Sequence, residues 1–84
     1  MLAIEAGGLN TSNLDDVRMN CFFGNSDATN MTGFPTDFDK RFPWFGFSFF
    51  YTGSIRGFQF LWCGDNKKAY IRYYADTWGN WDEL

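Results

Sequence analysis

Three aromatic-rich runs, "WFGFSFFYT" (44–52), "IRGFQFLWC" (55–63) and "KAYIRYYAD" (68–76), are separated only by "GS" and "GDNK". Gly, Ser, Asp and Asn between runs of β-favouring residues are hairpin chemistry, so the three runs predict consecutive antiparallel strands. Upstream, "MNCFFG" predicts a further strand, and Asn13 ahead of Leu14, Asp15 and Asp16 caps a turn too short to be a durable helix. The fold class expected is therefore all-β, mainly antiparallel, a small meander or sandwich with a short helical turn near the N-terminus. At 84 residues the chain has room for one core, and it reads as a single domain over 1–84, with 1–13 a connector and 14–84 the β core. Burial and chain entropy nearly cancel at this size, which makes a partner subunit worth considering.

Alternation along the runs assigns faces. Phe45, Phe47, Phe49 and Tyr51 share one face of the first strand, opposite Trp44, Gly46, Ser48 and Phe50. Phe58, Phe60 and Trp62 oppose Gln59, Leu61 and Cys63 in the second. The third reads as Ala69, Ile71, Tyr73 and Ala75 inside with Lys68, Tyr70, Arg72, Tyr74 and Asp76 wet. Phe45, Phe47, Phe49, Phe58 and Phe60 are expected in the core. Both faces are partly apolar, so either the long 25–42 loop and the C-terminal segment cover the second face, or another subunit does. Phe34, Phe38 and Phe42 are the rings that would pin that loop.

The chain contains no histidine, which removes the commonest general base and metal ligand. Two cysteines, Cys21 and Cys63, do not make a zinc site, so no metal is expected. They pair across strands or remain buried thiols, and the lack of a secretory signal favours thiols. No phosphate-cradling glycine pattern occurs, and no cofactor is expected. The carboxylate pairs Asp37 with Asp39 and Asp82 with Glu83 have no evident cleft, so the expectation is a protein that is not an enzyme. A net charge of −3 with scattered cations argues against nucleic acid as a partner. No run approaches the roughly 18 apolar residues of a membrane helix, which argues against membrane insertion.

Binding is better supported. A flat ring covers the apolar face of a sugar while polar neighbours satisfy its hydroxyls. Trp44, Tyr51, Tyr73, Tyr74, Trp78 and Trp81 are the candidate rings, with Arg72 among the polar neighbours.

The end of the chain, "KAYIRYYADTWGNWDEL", resembles the C-terminal signature of knob domains in bacteriophage and pyocin-like tail fibres: x-Y-I-R, a short turn, then W-x-x-W-x-x-L. The matching positions are Tyr70, Ile71, Arg72, Trp78, Trp81 and Leu84. The opening from "LDDV", with Ala28, Thr29, Asn30, Gly33 and Pro35, is similar to the start of the same family, so the likeness spans about 9–84. It departs from the family at "DDVRMNCFF" and "GFQFLWC". The resemblance implies a β knob near the tip of a homotrimeric fibre, in a virion made in the bacterial cytoplasm and acting outside the host cell. Such a knob recognises a bacterial surface polysaccharide or other receptor; the alternatives are a purely structural trimerisation or capping module, or a small phage-encoded inhibitor. Trp44, Tyr51, Arg72, Tyr73, Tyr74 and Trp78 are then the ligand-binding residues, together with the 25–42 loop. Tyr70, Ile71, Trp81 and Leu84 are structural, with Trp78 and Trp81 stapling the chain end across the last strands and Leu84 inserting after them.

Overall fold

A computed structural model describes residues 12–51, 55–64 and 67–84. A 3-10 turn, Leu14–Asp16, precedes five strands: β1 (Cys21–Asn25), β2 (Trp44–Phe50), β3 (Arg56–Cys63), β4 (Lys68–Ala75) and β5 (Asp82–Glu83). The strands form one sheet in the order β1-β2-β3-β4-β5, every neighbouring pair antiparallel. The expected all-β meander is the fold observed. The Asn13 side chain caps the turn by accepting from the Asp15 amide at 2.9 Å, satisfying one of the donors that a helix start leaves open. Register is continuous through the centre, where Gly46 lies opposite both Phe23 and Leu61, and Gln59 opposite both Ser48 and Arg72.

One face of the sheet is covered by the chain itself. The turn at 14–17, the 26–43 loop and the segment 78–81 lie over Cys21, Phe23, Trp44, Leu61, Cys63 and Tyr70, and Leu14, Val17, Ala28, Met31 and Phe38 complete the core. Phe38 is buried and Phe34 packs against Phe38 and Trp44, so these two rings pin the loop. Phe42 stays outside the core, half-buried beneath the Arg41 guanidinium. Gly46 and Gly57 lie on this face, where a Cβ would meet the Phe23 ring at 2.8 Å and the Phe50 ring at 2.6 Å. Their missing side chains let large rings lie flat on the strands. Both cysteines are buried and free. Burial pushes the Cys21 thiol up, a shift offset in part by its Ser48 contact.

The opposite face is open, and here the structure reverses two expectations. Phe22, Phe45, Phe49, Trp62 and Tyr73 are exposed, and Phe47, Phe58, Phe60 and Ile71 are half-buried among them. The phenylalanines expected in the core therefore sit outside it, packed on one another and on Trp62 edge to face, stacked or tilted at 5.0 to 6.2 Å. In β4 the assignment is inverted as well: Tyr70 and Arg72 are buried, and Tyr73 is exposed. Loop and C-terminal segment cover only one of the two apolar faces, and they take the one carrying the small and hydrogen-bonding residues. Among the described residues no helix is long and apolar enough to cross a membrane.

Candidate functional site

The centre of the covered face is polar. Arg72, 4% exposed, donates from Nε and Nη2 to Gln59 Oε1 at 3.0 and 2.7 Å, and its Nη1 lies 2.8 Å from Asp15 Oδ1. Gln59 is fully buried, and its Nε2 donates to the Leu14 and Val17 carbonyls at 2.9 and 3.0 Å. The guanidinium is sandwiched between two indoles, 3.9 Å from the Trp78 centroid and 4.5 Å from that of Trp81. Trp78 Nε1 donates to the Asp15 carbonyl and Trp81 Nε1 to the Gly33 carbonyl, both at 3.0 Å. Burial pushes the Arg72 pKa down and Asp15 opposes the shift. The group stays charged, because an arginine begins so far above neutrality. It thus ties β3, β4, the N-terminal turn and the 78–81 segment together.

Beside this hub lies a cleft of about 620 Å³ between residues 33–37, β4 and the segment 79–83. Trp81 and Phe34 supply apolar walls, while Asp37, Asn80, Glu83 and the Asp15–Arg72 pair supply polar groups. Gly33, at φ +86°, makes the bend that aims the 33–37 segment at the cleft. Tyr70 lies in the floor, and its hydroxyl is buried with no hydrogen-bond partner. Burial, reinforced by the nearby Asp37 and Glu83 carboxylates, pushes the Tyr70 phenol up to about 12. Asp37 is close enough to act on the acidity of the phenol without reaching hydrogen-bonding geometry. The phenol therefore remains a neutral O–H donor throughout the physiological range. Lys68 lies 3.7 Å from Asp37 and 3.9 Å from Glu83, so these two acids share one cation.

The residues expected to bind a ligand do not converge. Trp44 is 3% exposed, donates from Nε1 to the Asp27 carbonyl at 3.0 Å and packs edge-on against Phe34, so it is a core residue. Arg72 is likewise sealed by its partners. Tyr74 and Trp78 pair edge to face at 5.0 Å, and the Tyr74 hydroxyl accepts from Arg18 at 2.7 Å. Tyr51 and Tyr73 are exposed, away from the cleft lining.

Of the residues expected to be structural, Tyr70 is buried, and Trp81 is partly buried and packed against the core. Ile71 is half-buried on the open face. Leu84 is 69% exposed, contrary to the expected insertion. The β5 ladder and the Leu84 amide, which donates to the Ala69 carbonyl at 2.8 Å, hold the end instead. Gln59, Asn80 and the Asp37–Glu83 pairing escaped sequence reasoning. Gln59 alone gave a signal, as an amide in the middle of an otherwise apolar strand. Among the described residues no cluster of three or more His, Cys, Asp or Glu could hold a metal ion. Comparison with protein-family models, curated proteins and solved structures finds no match to this chain.

Proposed function

We propose that this chain is a non-enzymatic, tail-fibre-type β domain that recognises a bacterial surface saccharide, and that the saccharide enters the cleft floored by Tyr70. One observation carries the reading. The segment that resembles the fibre knobs folds so that Tyr70, Arg72 and Trp81 border an open cleft, beneath which a phenol hydroxyl lacks a partner. An unpaired buried hydroxyl costs about 1–3 kcal/mol, and a ligand hydroxyl or its bound water relieves that cost. Carboxylates on the rim accept from sugar hydroxyls, and the indole of Trp81 offers the apolar surface that a pyranose face needs. Arg72 is neutralised by Asp15, and Lys68 is shared between Asp37 and Glu83. The remaining balance is negative, which favours a neutral or amino sugar over an acidic one.

Titration with neutral and amino-sugar-containing surface polysaccharides, followed by tryptophan fluorescence, tests this. Saturable quenching is expected, weakened about 5- to 10-fold in Tyr70→Phe, as the loss of one hydrogen bond predicts. Unchanged fluorescence across a glycan panel, or equal affinity in Tyr70→Phe, would remove the reading. The second reading, a structural module within a fibre, draws its support from the open ring face.

A further inference from the structure

We infer that the open aromatic face of β1–β4 is covered by the same face of another copy of this chain. The inference does not rest on the saccharide reading, which concerns the other side of the sheet. Alternation places Phe22, Phe45, Phe49, Trp62 and Tyr73 on this face, exposed by 51, 48, 51, 36 and 60% respectively. With about 200 Å² per aromatic side chain, these and the half-buried rings between them leave about 600 Å² of apolar surface. That is at the upper end for the largest patch on a typical monomer, about 300–600 Å². Two such faces pressed together bury about 1,200 Å², enough to enter the range of specific, stable interfaces. The patch also has the layout of an interface. Its centre carries no charge, and Arg56 and Asp82 stand at its rim by strand position.

The chemistry of the face selects its occupant. Irregular chain laid on a sheet presents backbone carbonyls that must find donors, as the covered face shows. There Gln59, Ser48 and Trp44 donate from the strands to the carbonyls of Leu14 and Val17, Met19 and Asp27. Among the described residues, the open face inside its rim of Tyr51, Arg56 and Asp82 offers the Trp62 indole and Tyr73 hydroxyl in an expanse of Phe, Ile and Ala, which is poorly suited to satisfying a loop. A surface whose own backbone is already paired, apolar and nearly flat, is what it fits. The same face of a second sheet has all three properties, and sheets stack face to face at about 10 Å through interdigitated side chains. A patch that meets its own copy face to face is isologous and closes as a two-fold dimer, whose count of two copies is read directly from its mass.

Sedimentation equilibrium on the full chain from about 1 to about 100 µM, the range in which a modest interface dissociates, tests the inference. A discrete dimer of the 9.8 kDa chain is expected, and a trimer would overturn the face-to-face pairing. Phe45→Asp and Tyr73→Asp, at exposed positions that leave the core intact, should each weaken association at least about 100-fold. Their circular dichroism should match that of the parent, and the control Asn80→Asp should leave the mass unchanged. In the parent, iodide quenching of Trp62 should fall as concentration rises. A monomer at every concentration would overturn the inference, as would an oligomer indifferent to both ring substitutions. A monomer that co-sediments with phosphatidylcholine vesicles would assign the face to a lipid surface and overturn it equally.

Discussion

Replacing Arg72 by Met isolates the clamp at the centre of the covered face. Methionine keeps most of the length and can lie between the two indoles, but it has no donors. Three interactions disappear: the two bonds into Gln59 Oε1 and the ion pair to Asp15. Gln59 is fully buried, so its carbonyl oxygen is left without a donor at a cost of about 1–3 kcal/mol. The Asp15 side chain is 48% exposed and water replaces most of what it loses, so its share is below about 1 kcal/mol. The two cation–π contacts contribute about 1–2 kcal/mol at this burial, part of which the polarisable thioether restores. The net loss is about 3 kcal/mol. For a domain of this size 1 kcal/mol moves Tm by about 4–8 °C, so thermal unfolding followed by circular dichroism should shift down by about 12–24 °C. Arg72→Lys should recover little of this, because an ammonium cannot fork into Gln59 while stacking between two rings. In a double-mutant cycle with Gln59→Leu, the pair should cost at least about 1 kcal/mol less than the sum of the singles. A Met variant melting within about 4 °C of the parent, or strict additivity in the cycle, would refute the clamp.

Tyr70 gives the fold an alkaline limit. Its phenol ionises at about 12 in the folded chain against about 10 when unfolded. The stability this contributes is complete below pH 10 and is lost as pH rises toward 12; absorbance at the tyrosinate band should show one late phenol ionising with unfolding, absent in Tyr70→Phe. Gly46→Ala should prevent stable folding or lower Tm by more than about 10 °C, since its Cβ would lie 2.1 Å from the Phe60 carbonyl oxygen in a central strand where that backbone cannot retreat. A melt like that of the parent would show that β2 and β3 lie further apart. Cys21 and Cys63, both buried and free, should react with a thiol reagent only upon denaturation, and rapid labelling of the native chain would contradict the burial of both.

The strands were legible because turn chemistry and ring-rich runs coincide, leaving β2, β3 and β4 little freedom in position. The choice of face was not legible from hydrophobicity, because the face richer in Phe is the one left open. A different signal marked the covered face: Gly46, Ser48, Gly57, Gln59 and Arg72 all fall on one side of the pleat. Glycines admit close approach, and Ser, Gln and Arg supply hydrogen-bonding groups to whatever irregular chain arrives. Read as a demand for carbonyl partners rather than as polarity turned to water, this row identifies the side that the 14–17 turn and the loop must cover. The cleft was less legible still, since Asp37 and Glu83 lie far apart in sequence and meet only because β5 returns beside Tyr70 and Ile71. The β5 ladder holds that return, and Trp81 adds a bond to the Gly33 carbonyl on the facing wall of the cleft, so one indole bond joins the core-packing ring to the 33–37 segment. Loosening it would therefore open the cleft before it unfolds the sheet.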